Sequence, residues 1–401
     1  VIGVGSMVGA GVFSAIGPAA EAAGSWLLVG LAVAAVVAYC NAVASAQLAA
    51  QYPLSGGTYV YGRELLGPWW GFAAGWCFVT GKTASCAAMA VTFGAYVVPG
   101  STLAQRLLGI AAVAALTAVT VRGVTRTAHL TRVLVAVSVG VLVFTVVLLL
   151  VRGEPDADRL TGGAPDAYGV LQAAGLLFFA FAGYARIATL AEEVRDPART
   201  IPRAIVAALA CVLALYLAVA LAALLVAGPD ALAASSAPLR TAVELAGAPF
   251  AKPIVAAGAA VASLGALLAL LAGVGRTTLA MARNRDLPHR LAAVHPEHGV
   301  PHVAQLAIAG VVVLLVATTD LRGVIGFSSF GVLVYYALAN ASAWRQESER
   351  RRWPRVLQAT GLAGCLALAV TLPFGSVAAG AGVLALGLTA RLLSTARVFR
   401  R

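Results

Sequence analysis

Two cations stand where an apolar chain tolerates them least. Lys82 lies near the middle of the run GWCFVTGKTASCAAMA, and Arg186 follows directly on the run LLFFAFAGYA. A lysine held at mid-bilayer depth costs at least about 2.5–3.5 kcal/mol, so such a residue marks a functional site by default. Loss of hydration disfavours its charged form, which would let Lys82 release and regain a proton. The plainer role for it is structural, a lysine satisfied by backbone carbonyls at a broken helix. Arginine keeps its charge, so Arg186 suits an anchor or a gate better than a proton carrier. Three roles are open to it: contact with a bound molecule, closure of a gate, or an ion pair with Glu192. Glu192 and Glu193 follow about two helical turns further on, where a network with Arg195 is the expected partner. No H-E-x-x-H, G-x-S-x-G or clustered carboxylate pair is present, so the chain offers no constellation for an enzyme. The five cysteines have no metal-ligand spacing and read as small packing residues.

The elements that must position these residues are set by composition. The 401-residue chain is 61% hydrophobic and 11% charged, with a mean hydropathy of +0.90. Soluble domains carry about 25% charged residues, so this composition predicts an all-α polytopic membrane protein in contact with the lipid bilayer. Val1 opens the chain inside an apolar run, so part of the first helix is expected to precede it. No cleavable signal peptide is visible. A net charge of +12 would raise nucleic acid as a partner in a soluble protein. Here the basic residues fall in short clusters between apolar runs, and nucleic acid is not expected.

At about 20 apolar residues per crossing, twelve spans are expected. They run roughly over 1–23, 26–50, 68–98, 103–121, 130–151, 168–191, 203–227, 253–282, 302–319, 323–343, 356–373 and 375–394. With the N-terminus cytoplasmic, alternate loops and the tail hold twenty of the lysines and arginines, and the opposite loops hold six. That bias follows the positive-inside rule and predicts both termini in the cytoplasm. Trp26, Trp69, Trp70 and Trp353 fall near the predicted interfaces as belt residues, and Glu21 is expected at the outer interface.

Glycine raises a question about the first span. VIGVGSMVGAGVFSAIG carries five glycines, each costing about 1 kcal/mol against alanine in a helix interior. A dinucleotide-binding loop needs G-x-G-x-x-G after a strand, and here Gly9 falls one place late, inside an apolar helix. Two readings remain: glycines that let helices pack closely, or a helix built to break. The sixth span has a comparable interruption, Phe181-Ala182-Gly183-Tyr184. Glycine-interrupted segments at corresponding places in two halves point to the binding site of a secondary transporter. Unwinding frees backbone groups that must line a polar cavity or be buried in protein. Freed N–H groups suit an anion and freed carbonyls a cation, so two facing breaks suit a small zwitterion.

GVGSMVGAGVFSAIGPAA, YPLSGGTYVYGRELLGPWWGFAAGW, FFAFAGYARIATLAEEVRDPARTIPRAI and MARNRDLPHRLAAVHPEHGVP together resemble the amino acid–polyamine–organocation superfamily of permeases. The resemblance covers nearly the whole chain. It implies the five-plus-five inverted-repeat fold of the leucine-transporter-like carriers, with helices 1 and 6 broken. Residues 1–151 would form the first repeat, 168–343 the second, 356–394 two peripheral helices and 395–401 a basic cytoplasmic tail. By position, Ser6, Met7, Val8, Gly9, Ala10 and Gly11 would hold the substrate carboxylate. Phe179, Ala180, Phe181 and Ala182 would take the ammonium and shape the pocket, with an aromatic at Phe179 or Phe181 resembling a lid. HPEHGVPH is then a plain connecting loop, and no metal or cofactor is expected.

The expected function is uptake of amino acids across the cytoplasmic membrane by alternating access. Coupling to protons without sodium is expected, with Lys82, Arg186 and Glu192 as coupling or gating residues. Many sodium-independent relatives carry a lysine in helix 5, and helix 5 here has none, which leaves an obligatory exchanger as the alternative. A nutrient sensor with the same fold is the further alternative. A channel would need a continuous polar lining that the spans lack.

Overall fold

A chain this apolar must satisfy its backbone polar groups internally when it lies in lipid, and helices do so within one segment. The computed structural model describes residues 2–52, 56–123, 128–162, 166–183 and 197–398. Every regular element among the described residues is helical. In chain order the α-helices are α1 (Ile2–Met7), α2 (Ala10–Ser14), α3 (Ile16–Ala23), α4 (Leu27–Gln51), α5 (Thr58–Leu65), α6 (Pro68–Val97), α7 (Thr102–Val121) and α8 (Ala128–Arg152). They continue as α9 (Ala167–Phe181), α10 (Pro197–Ala233), α11 (Pro238–Leu245), α12 (Lys252–Arg283), α13 (His302–Thr318), α14 (Leu321–Trp344), α15 (Arg355–Thr371) and α16 (Phe374–Val398).

Seven helical stretches among the described residues are long and apolar enough to cross a membrane, and α9, α13 and α15 are shorter apolar helices. The chain is therefore a multi-pass, all-helical membrane protein. The 30-residue α6 is not one of the seven. Its glycines, tryptophans, threonines and Lys82 lower its hydropathy, and it compensates by burial inside protein. It packs along α12 and α14 and also meets α2, α5, α7, α13 and α16. Close approach to α14 depends on paired glycines: a Cβ on Gly331 would sit 2.8 Å from the Cys77 carbonyl oxygen and 3.0 Å from the Gly81 Cα. One turn on from Gly81, the Ser85 and Ser328 hydroxyls are 2.6 Å apart.

Local sequence explains several helix ends. Gly67, at φ 109°, turns the chain into Pro68 at the start of α6. Asp166 caps α9 by accepting from the Tyr168 and Gly169 N–H groups, and Asp320 caps α14 at Gly323. These side chains satisfy the donors that a helix start leaves free. The 37-residue α10 bends at Gly228, whose φ of 74° is outside the helical region.

Polar side chains tie each end of the bundle. At one end Arg322 pairs with Glu21 and donates to Gln172 Oε1 (3.1 Å), and Gln172 donates to the Thr371 carbonyl (3.0 Å). This joins α3, α9, α14 and α15. At the opposite, arginine-rich end the Asp286 side chain is 6% exposed and binds Arg391 (2.6 Å), Arg63 (3.4 Å) and the Tyr59 hydroxyl (2.7 Å). Burial, then the bond to Asp286, pushes the Tyr59 hydroxyl up to about 12, so it remains a donor. Arg391 also lies over the Trp69 and Phe72 rings.

The resemblance places the last two helices at the periphery. Helix α15 packs on α14, α4 and α9 and buries Gln358, Gly361 and Cys365. The cysteines are free; four are buried, and Cys211 is exposed on α10, a difference from the packing role expected for all five.

Candidate functional site

The first break falls between α1 and α2. Helix α1 closes with Val8 N–H donating to the Val4 carbonyl (2.7 Å) and Gly9 N–H to the Met7 carbonyl (2.8 Å). Gly9, at φ −124° and ψ −148°, then leaves the helical region, and α2 starts at Ala10. Helices α2 and α3 run on through Ala15, because Ala15 N–H donates to Gly11 and Ala19 N–H to Ala15. The start of that run therefore points its free N–H end at the break. Met7, Val8 and Ala10 are all buried, and of Ser6 only the backbone in the last turn of α1 is described.

The second break begins where α9 ends, at Phe181, with Ala182 and Gly183 in a turn. Phe179, Ala180, Phe181 and Ala182 are buried at this helix end. The two breaks touch. A Cβ on Gly11 would lie 2.5 Å from the Ala180 Cα, so only glycine lets the α2 backbone meet α9 this closely.

A helix end leaves carbonyls without partners, and three side chains from other helices supply donors. Lys82 Nζ, from α6, donates to the Ala182 carbonyl at 3.0 Å. The Tyr336 hydroxyl, from α14, donates to the same carbonyl at 3.4 Å. The Tyr216 hydroxyl, from α10, lies 2.8 Å from the Met7 carbonyl and 3.1 Å from the Ala180 carbonyl. It has one proton, so it serves one of the two carbonyls at a time. Phe181 packs its ring on Tyr216, and Phe178 packs edge-on against Tyr336. Lys82 is 6% exposed and has no carboxylate partner among the described residues. The negative end of the α9 dipole favours a cation in its place.

Of the residues expected from sequence, the structure brings together Met7 to Gly11, Phe179 to Ala182 and Lys82. Arg186 and Glu192, like Glu193 and Arg195, lie outside the described residues. Tyr216 and Tyr336 were not singled out from sequence. Their signal is a hydroxyl on an otherwise aliphatic run, in LALYLAVALAALL and GVLVYYALAN. A third tyrosine, Tyr96, donates to the Phe13 carbonyl of α2 (2.6 Å) and stacks edge-on against Phe13. The loop histidines His295 and His298 stack with ring centres 4.5 Å apart. Among the described residues no group of three His, Cys, Asp or Glu could hold a metal ion.

The sequence profile described as "Amino acid permease" matches residues 1–387. The chain is 60% identical to an uncharacterized transporter of Mycobacterium tuberculosis, over 97% of this chain and 88% of that relative. It is 24% identical to the branched-chain amino acid permease BcaP of Bacillus subtilis, over 90% of this chain and 82% of that one. Human cationic amino acid transporter 4 is 29% identical over 85% of this chain and 57% of its own length.

Proposed function

This chain belongs to the amino acid permease family, and from that premise we propose that it takes up amino acids across the cytoplasmic membrane by alternating access, driven by protons and independent of sodium. It is a transporter rather than an enzyme. The observation that carries the finer proposal is Lys82 on the Ala182 carbonyl at the end of α9, with Tyr216 set between the carbonyls of the two breaks.

In this proposal twelve spans form a five-plus-five inverted repeat with two further helices, and both termini are cytoplasmic. The segment from Ser6 to Gly11 holds the substrate carboxylate, on the free N–H groups at the start of α2. The carbonyls from Phe179 to Ala182 take its ammonium. Lys82 exchanges the coupling proton, while Arg186 and Glu192 close the path to one side. The Glu21–Arg322–Gln172 links serve as the outer gate. A cationic side chain would add a third positive charge to Lys82 and the substrate ammonium at this site, so substrates with uncharged side chains are favoured. The branched-chain permease among the relatives is in keeping with that preference, and the cationic amino acid transporter is not.

The test is uptake of radiolabelled leucine, valine, alanine, lysine and glutamate into sodium-free proteoliposomes. Accumulation of a neutral amino acid that requires an inward proton gradient is the expected result. Uptake that instead requires amino acid preloaded inside, and ignores the gradient, would replace proton symport with obligatory exchange.

A further inference from the structure

The faces on which α4, α14 and α15 meet carry five buried amide side chains. Asn41 and Gln47 come from α4, Asn340 from α14, Gln346 from just beyond it, and Gln358 from α15; none is more than 1% exposed. Asn340 Nδ2 donates to Asn41 Oδ1 (2.6 Å) and to the Tyr336 carbonyl (2.9 Å). Cys365 donates to the same Asn41 oxygen (3.2 Å). Gln346 Nε2 donates to Gln51 Oε1 and to the Gln47 carbonyl, and Gln47 Oε1 accepts from the Arg352 N–H. Glycine at 361 keeps the Asn340 amide in place, since a Cβ there would lie 2.4 Å from Asn340 Oδ1.

These bonds leave a balanced remainder. The donors Asn41 Nδ2, Gln47 Nε2 and Gln358 Nε2 and the acceptors Asn340 Oδ1, Gln346 Oε1 and Gln358 Oε1 find no partner among the described residues. Buried polar groups are almost always satisfied by protein or by ordered water. The identity of the missing partner follows from the balance. A cation would satisfy the three oxygens and oppose the three N–H₂ groups, and an anion would do the reverse. Water donates and accepts, and a buried water needs two to four polar neighbours of both kinds. The amides also form a line. Gly361 and Cys365 of α15 face the Asn340–Asn41 pair, and Gln358 lies one turn from Gly361 on the same buried face. It falls on the side toward Gln47 and Gln346, at the arginine-rich end. The far surface of α15 is apolar and exposed at Val356, Leu366 and Val370, so water has no entry there. The polar entry is beside the partly exposed Gln51.

We propose that α4, α14 and α15 enclose a column of ordered water that enters beside Gln51 and Gln346 and ends at the Asn41–Asn340 pair. Asn340 is one helical turn from Tyr336, which shares the Ala182 carbonyl with Lys82. The column therefore brings water from the arginine-rich end to within a turn of the site residues, and it makes α15 part of a hydrated interior. This holds whether transport is symport or exchange.

Radiolytic hydroxyl-radical labelling of the full chain in lipid nanodiscs, read by mass spectrometry, tests it. Radicals form from water, so a buried sulfur is labelled only where water lies against it. Cys365, at the inner end of the column, and Met281, packed against Gly75, are both 0% exposed. Labelling of Cys365 several-fold faster than Met281 is expected, and Gln358→Leu should bring it down several-fold. Equal labelling of the two sulfurs in the unaltered protein would overturn the column. So would a Cys365 rate that Gln358→Leu leaves unchanged. Gln47→Leu, at the entry, makes the same comparison should Gln358→Leu not fold.

Discussion

The two breaks are held by different physics. Around the first, small residues meet backbone: Gly9 faces Ala266, Gly11 presses on Ala180, and one hydroxyl, that of Tyr216, reaches the Met7 carbonyl. Around the second, carbonyls are met by polar side chains from three other helices: Lys82 of α6, Tyr336 of α14 and Tyr216 of α10. The first break is thus fixed by steric fit and the second by donors that could exchange one partner for another. A carbonyl served by a lysine can be handed to another ammonium, whereas a backbone contact that only glycine permits has no substitute. The second break is the one suited to respond to a ligand or a proton, and the first to give it a fixed wall. Tyr216 and the Gly11–Ala180 contact couple them.

Lys82→Met tests that division most severely. It keeps the volume and removes the donor from the second break only. Proton-driven accumulation of amino acid in proteoliposomes should disappear, while the protein stays folded by circular dichroism and size-exclusion chromatography. Full accumulation by a folded Lys82→Met would return the lysine to a purely structural role. Gly11→Val should come next. Its Cβ alone would sit 2.5 Å from the Ala180 Cα and 2.7 Å from the Ala180 Cβ, so α2 must move off α9. Overpacking of this kind costs about 1–3 kcal/mol or more. A lower melting temperature and a large loss of uptake are expected together, unlike the loss of uptake alone at Lys82.

How much of this was legible in the sequence differs along the same line. Lys82 stood out because a charge in an apolar run is conspicuous, and its structural alternative, a lysine on carbonyls at a broken helix, named the kind of partner found at Ala182. The glycines of the first span were legible as a group but not one by one. Gly9 lies at the break, Gly11 makes the contact with α9, and Gly5 faces the Val135 side chain of α8, so the close-packing reading is right for Gly5. Tyr216 and Tyr336 were not legible. A tyrosine in an aliphatic run looks like core, and its hydroxyl acquires meaning only once the fold brings a freed carbonyl within reach. The buried amides of α4, α14 and α15 were hidden for the same reason, since no span carries more than two of them among its small and apolar residues. The contact of α15 with α4 and α14 was hidden too, because those amides and Gly361 meet across helices far apart in sequence.

Tyr216→Phe and Tyr336→Phe sharpen the comparison with smaller effects. Tyr216→Phe removes a donor from the Ala180 carbonyl, while the Met7 carbonyl keeps the Gly9 N–H; a buried group left unpaired costs about 1–3 kcal/mol. Because the hydroxyl serves both breaks, uptake should fall several-fold with a modest drop in melting temperature. Tyr336→Phe should do least. Its hydroxyl is 3.4 Å from the Ala182 carbonyl, beyond the usual range for an O–H donor, and Lys82 already serves that carbonyl at 3.0 Å. The ring contact with Phe178 survives the substitution. An initial uptake rate within about two-fold of the unaltered protein is expected, since a bond this long is worth less than the roughly 1 kcal/mol of an ordinary one. A loss as large as that of Lys82→Met would mean that Tyr336, not the lysine, is the donor the second break depends on. The division between a sterically fixed break and a polar, exchangeable one would then rest on the hydroxyls alone.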